Sequence, residues 1–188
     1  MKKLLVTIAS LLAFVAMPSH AITIDFDDLT PGTIVGGSYA GVTFFNATVG
    51  GGGTLPGGSP PNTIFSTSGF TTPGPADAIE ATFDGLASSV TLTGLDVGAA
   101  GFQLLAYNAD DLLIDSASFI GTGTGPGSAD LTVMGAIKWV AFSQVTPCCG
   151  DGILFDNFNY TPSGVPAPAG IAILGLGLLG LGYRRRNA

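Results

Sequence analysis

The sequence is short of charge and of the residues that do most acid–base chemistry. Only 10% of its 188 residues are charged, and it holds one histidine and one tryptophan. Of its six basic residues, Lys2 and Lys3 open the chain, Arg184, Arg185 and Arg186 close it, and Lys138 alone lies between. The long middle therefore has no arginine and, past His20, no histidine. That removes the commonest general base and the clustered cations with which proteins displace counterions from nucleic acid. Cysteine is nearly absent, and the two that occur, Cys148 and Cys149, are adjacent. A mean hydropathy of +0.52 is too apolar for a disordered chain. What the chain has in quantity is glycine (29), proline (12) and acid. All 13 acids fall between residues 25 and 156, so residues 22–183 carry 13 acids against one lysine, a formal charge of −12.

Both ends read as addressing devices. Lys2 and Lys3 form a positive leader, Leu4 to Met17 an apolar run, and Ser19-His20-Ala21 places small residues at −3 and −1. This is the pattern of a secretory signal peptide over residues 1–21, cleaved after Ala21. An apolar run of about 14 residues is short of the roughly 20 that span a bilayer. At the other end a polar linker from residue 163 leads to Val165-Pro166-Ala167-Pro168, a Gly/Leu-rich run, Tyr183 and Arg184–Arg186. The spacing predicts a membrane helix over about 169–183, roughly 22 Å long, with Tyr183 at the interface and the arginines snorkelling. The positive-inside rule puts the arginines in the cytoplasm and everything before Pro166 outside.

The tail VPAPAGIAILGLGLLGLGYRRR resembles a PEP-CTERM sorting signal, with Val165, Pro166 and Pro168 as the proline motif and Arg184, Arg185 and Arg186 as the closing cluster. The resemblance covers about 24 residues, 165–188. It implies a Gram-negative cell that makes extracellular polysaccharide. It also implies processing by an exosortase, with an inner-membrane-anchored precursor facing the periplasm and a final place at the cell surface or in the extracellular matrix. The motif usually has Glu between its prolines where this sequence has Ala167, a departure that bears on cleavage rather than on membrane targeting.

Between the ends, residues 22–162 read as an all-β domain: short β-branched and aromatic runs broken by Gly, Pro, Asn and Asp. Ten strands are expected, at 22–26, 40–48, 62–66, 78–83, 88–97, 101–108, 112–120, 129–133, 136–145 and 152–160. Val90-Thr91-Leu92-Thr93 alternates with period two, and Asn108–Asp111 reads as a hairpin turn. About ten strands in a domain of this size fit an antiparallel β-sandwich, most simply a jelly roll. The segments 50–61 and 121–127, rich in Gly and Pro, read as mobile loops. The opening Ile24-Asp25-Phe26-Asp27-Asp28-Leu29, Tyr39 to Phe44 and the closing Ile153 to Phe158 are similar to secreted PEP-CTERM sandwich domains, and the frame resembles jelly-roll carbohydrate-binding modules, whose first and last strands lie side by side.

If residues 22–26 and 152–160 are neighbours, Asp25, Asp27 and Asp156 can converge on a structural calcium ion, with Asp28 or a carbonyl completing the oxygen shell; strand-end acids that merely blunt sheet edges are the alternative. Cys148 and Cys149 fit either a strained vicinal disulfide, since consecutive Cα atoms stand about 3.8 Å apart, or a thiol pair bridging to another molecule. Trp139 and Tyr107 are candidates for stacking on sugar rings, although Trp139, between Ile137 and Val140, also fits a sandwich core. Thr91/Thr93 and Thr122/Thr124 are too few for an ice-binding array. Asp pairs can hydrolyse glycosides, but thirteen acids in one domain place some together by chance, and no enzyme is expected. The two terminal signals and the missing catalytic bases point to a non-enzymatic envelope or extracellular-matrix protein, in contact with extracellular polysaccharide; the resemblance to jelly-roll modules implies the alternative, a carbohydrate-binding module with a defined extracellular glycan ligand.

Overall fold

The computed structural model describes residues 20–68, 75–123, 127–146 and 152–164. Nine strands occur among them: β1 (Ile22–Ile24), β2 (Val42–Phe45), β3 (Ala47–Gly51), β4 (Asn62–Ser66), β5 (Ile79–Leu95), β6 (Phe102–Tyr107), β7 (Leu113–Phe119), β8 (Ser128–Gln144) and β9 (Leu154–Pro162). The regular structure besides these is a 3₁₀ turn at Pro75–Asp77. Every strand pairing is antiparallel.

Two long strands, β5 and β8, organise the fold. They pair with each other over almost their whole length, with register shifts between Thr82 and Ala87 and between Ala87 and Ser89. Those irregularities bend the pair, as extra residues in a ladder do. On one side of the bend, residues 79–82 and 139–142 are flanked by β2 and β6, and β7 lies beyond β6. On the other side, residues 87–95 pair with β9, whose far edge takes β1 and then β4, with β3 outermost. The chain thus forms a β-sandwich of two layers that share their longest strands.

The core lies between the layers. Phe102 of β6 and Phe142 of β8 meet Phe155 of β9, with ring centroids 6.0 and 4.9 Å apart, and Phe44 of β2 meets Phe158 at 5.1 Å. The alternation in β6 shows how the sequence does this: Phe102, Leu104 and Ala106 are buried, while Gln103, Leu105 and Tyr107 face outward. Fully burying a large apolar side chain contributes roughly 1.5–3 kcal/mol, so the seven fully buried phenylalanines dominate the core. Residues His20–Ser163 form one compact unit.

Three expectations are corrected here. Residues 78–83 and 88–97, and likewise 129–133 and 136–145, are not separate strands; Gly85 and Gly135 sit at bulges inside β5 and β8 rather than at turns. The segment 40–48 is split, because Asn46 takes a left-handed φ of 59° between β2 and β3. The 50–61 segment does not hang loose, as the next section describes. The expected signal peptide (apart from its last two residues), the sorting motif Val165, Pro166, Pro168 and Arg184–Arg186, the helix at 169–183, and Cys148 and Cys149 lie outside the described residues. Among the described residues no helix is long and apolar enough to cross a membrane.

Candidate functional site

β1 and β9 are neighbours, with Ile24 opposite Phe158, so the acids at both ends of the domain do come near each other. Both oxygens of Asp156, and one each of Asp27 and Asp25, accept hydrogen bonds from the chain itself. Asp156 is fully buried; its Oδ2 accepts the Ser59 backbone N–H at 2.7 Å, its Oδ1 accepts the Asn157 N–H at 2.6 Å, and the Ser59 hydroxyl donates to both at 3.2 Å. Asp27 Oδ1 accepts the Asn62 N–H at 2.8 Å, and Asp25 Oδ1 accepts the Asp27 N–H at 3.2 Å. Burial pushes the Asp156 carboxyl up, the amides of Ser59 and Asn157 pull it down, and the charge of Asp27 raises it further. Among the described residues no group of three or more His, Cys, Asp or Glu side chains is placed to hold a metal ion. A calcium ion at Asp25, Asp27 and Asp156 would have to compete with these backbone amides.

What the two carboxylates hold is the loop between β3 and β4. Asn62 completes the anchorage: its side-chain amide donates to the carbonyls of Phe26 at 3.2 Å and Leu29 at 2.7 Å. The glycines allow the loop to fold tightly, for a Cβ on Gly53 would lie 2.0 Å from the Ser59 carbonyl oxygen. The expectation of a mobile loop failed because composition reveals what a segment cannot bury, not which carboxylates will cap it.

The folded loop walls one end of a groove on the outer face of the second layer. The groove encloses about 570 Å³ and is lined by Thr23, Gly57, Thr91, Thr93, Ser128, Ala129, Asp130, Asn157 and Asn159. Its floor follows from strand register. Thr23, Asn159, Thr91 and Thr132 lie directly across from one another on β1, β9, β5 and β8, and Thr93 stands opposite Asp130 in a neighbouring row. Thr91, Asp130, Thr132 and Asn159 are outward members of alternating stretches, next to buried residues such as Val90, Leu92 and Leu131, while Thr93 is buried at the groove's base. The rows are tied laterally: Thr23 Oγ1 donates to Asn159 Oδ1 at 2.5 Å, Thr91 and Thr132 share a hydroxyl bond of 2.8 Å, and Thr93 Oγ1 donates to Asp130 Oδ1 at 2.7 Å. Asn157, at a left-handed φ of 49°, reaches the Gly57 carbonyl with its Nδ2 at 3.2 Å. The result is a fixed, polar, open surface with hydroxyl and amide groups at inter-strand spacing, about 4.8 Å.

The predicted aromatic pair is elsewhere. Tyr107 and Trp139 are cross-strand partners on the outer face of the first layer, not core residues. Their rings lie face to face, centroids 3.8 Å apart and 5° from parallel, and Trp139 Nε1 donates to Asp111 Oδ1 at 2.9 Å. Each ring has given one face to the other, so the pair is first a clamp between β6 and β8. Lys138 donates to the carbonyls of Phe83 and Asp84. Tyr39 packs edge-on against Phe26 and Phe44; burial, then its bond to Asp28, holds its hydroxyl well above the usual phenol range. Tyr160 is a core residue whose hydroxyl donates to the Ala40 carbonyl.

The sequence shows Thr91 and Thr93 as a short pair and gives no sign that Thr23, Asp130, Asn157 and Asn159 line the same groove. The signal present was the polar half of each alternating strand; the register that assembles those halves is not local.

No protein-family model matches the chain, and no curated protein matches it. Among solved structures, the K2 cleaved adhesin domain of Lys-gingipain is 20% identical with a TM-score of 0.50, over 76% of this chain and 99% of that one. The fold is shared with that adhesin domain. The K3 domain of Lys-gingipain from Porphyromonas gingivalis w83 is 15% identical (TM-score 0.43, 78% of this chain, 100% of that one). The CBM22-1-CBM22-2 tandem domain from Paenibacillus barcinonensis Xyn10C is 11% identical (TM-score 0.46, 81% of this chain, 48% of that one).

Proposed function

We propose that residues 22–162 are a non-enzymatic, jelly-roll-like binding domain that engages an extracellular glycan through the polar groove. In this reading the signal peptide exports the chain, and the PEP-CTERM-like tail delivers it through the inner membrane and an exosortase to the cell surface or matrix. The observation that carries the binding site is the cross-strand row Thr23–Asn159–Thr91 on the floor of an open groove. A sugar presents hydroxyls on every side, each both donor and acceptor, and such a ligand is matched by side chains that do the same. Those side chains are already held by one another and by a pinned loop, so little ordering entropy remains to be lost on binding.

The test uses the compact unit 20–163 on a glycan array, alongside a Thr91→Val/Thr93→Val variant. These substitutions keep the shape and β-branching of the strands and remove two hydroxyls. Specific glycan binding that falls at least tenfold in the variant supports the reading; binding that is unchanged places the ligand elsewhere. For delivery, deleting residues 165–188 should move the protein from membrane and surface fractions to the periplasm or medium. Unchanged fractions count against the tail's role.

A further inference from the structure

The groove carries one formal charge, and its position names the class of sugar. Asp130 lies on β8 at the rim, exposed, and only its Oδ1 is engaged among the described residues, by the Thr93 hydroxyl. No lysine or arginine lines the groove; Lys138, the one such residue among the described ones, is bound to the carbonyls of Phe83 and Asp84. Of the other lining groups, Thr91 and Thr93 are already bonded to partners, Asn157 donates to Gly57, and Asn159 donates to the Asn157 carbonyl. Each asparagine amide keeps a second N–H and Ser128 offers its hydroxyl, so the lining can both donate and accept, and the second Asp130 oxygen is its one charged acceptor. Around the groove, a domain of 13 acids and one lysine sets a negative field at neutral pH.

Resting on the glycan-binding reading above, we infer that the groove selects amine-bearing sugars over neutral ones, and neutral ones over uronates, with Asp130 as the residue that discriminates. An ammonium group offers three donors and a positive charge to the free Asp130 oxygen. A neutral sugar keeps the hydroxyl contacts of the floor and gains nothing from the field. A uronate meets the same floor with a like charge beside Asp130 and no cation to neutralise it.

The experiment titrates the 20–163 unit with matched monosaccharide sets (amino sugar, neutral sugar and uronate, each in the gluco, galacto and manno configurations), following the backbone amide resonances of Thr91, Asp130 and Asn159. The amino sugar should bind roughly two- to fivefold more tightly than its neutral counterpart at low salt, the range expected of one exposed charge pair. The advantage should shrink at 0.5 M salt and vanish in Asp130→Asn, whose side-chain oxygen can still accept from Thr93. Equal binding of amino and neutral sugars, a uronate preference, or an advantage that survives Asp130→Asn overturns the inference while leaving the glycan reading in place. Absence of any shift from all the sugars, together with a blank glycan array, overturns both.

Discussion

Replacing Asp156 by alanine tests the whole construction of the site, because one buried carboxylate holds the wall of the groove. The substitution removes both acceptors of the Ser59 and Asn157 N–H groups and of the Ser59 hydroxyl. Each buried donor left unpaired costs about 1–3 kcal/mol. Against that, the variant no longer buries a charge, whose desolvation opposes ionisation at this position. The net loss should be about 2–4 kcal/mol, well above a typical surface change. For a domain of this size one kcal/mol moves the midpoint by roughly 3–4 °C, so Tm should fall by about 6–15 °C. Thermal unfolding followed by circular dichroism gives the midpoint, and hydrogen exchange shows where the loss is felt. Faster exchange should be confined to the loop 52–61 and the adjacent Asn157, with the β5–β8 ladder protected to the same extent as before. A Tm change under 2 °C, or exchange that rises uniformly, would refute the claim that this carboxylate pins the loop.

Four further outcomes follow from the same geometry. Because burial raises the Asp156 pKa in the folded protein, the folded state takes up that proton before the unfolded chain does. The stability this contributes is complete below the ordinary value of 3.8 and is lost as pH rises through the raised one. The Tm difference between the parent and Asp156→Asn should therefore favour the parent more at pH 4 than at pH 7, and the opposite trend would contradict the assignment. Trp139→Ala should destabilise the unit by about 1–3 kcal/mol, through the lost stack and buried area, yet leave sugar affinity in the groove within about twofold by the same resonance titration. Gly94→Ala, whose Cβ would stand 2.7 Å from the Phe102 ring in the core, should cost about 1–3 kcal/mol in urea unfolding. Calcium added to the 20–163 unit should give no titration heat and no change in Tm against chelator, since both Asp156 oxygens and Asp27 Oδ1 already accept the Ser59, Asn157 and Asn62 amides.

The all-β fold was legible where alternation runs undisturbed. β4 falls at the expected residues 62–66, and β6 and β7 lie within a residue of the expected bounds. It was illegible at bulges. Ile137 and Val140 are both buried although three residues apart, because the ladder opposite skips from Thr82 to Ala87 between Trp139 and Ile137. A strict alternation from Ile137 would place Trp139 in the core; the irregularity reverses the phase and delivers it to the outer face, opposite Tyr107. The same limit hid the roles of Asp27 and Asp156. Their nearness followed from pairing the first and last strands, which the sequence suggested. Their partners, Asn62 and Ser59, come from a segment more than thirty residues from either Asp27 or Asp156, and nothing local in a Gly/Pro-rich stretch announces a cap.

The groove depends on that long-range cap more than on the sheet beneath it. The outer face of a sandwich layer is an open surface of alternate side chains, and a row of four hydroxyl and amide groups on it would otherwise be solvated like any other. Three features make it a recess here. Asn157, at its left-handed turn, shifts the last strand's side chains at the point where Thr91 and Thr93 pair with Asn159 and Asp156. Gly57 lets the loop approach Ser128 and Leu95 with less than a side chain's clearance, since a Cβ there would fall 2.8 Å from the Ser128 hydroxyl. Asp156, beneath both, bonds the loop and the strand simultaneously, so the wall and the floor keep one relative position. On the proposed reading, binding energy and folding energy are linked at this carboxylate: a ligand that touches both Gly57 and the Thr91 row stabilises the closed loop by mass action.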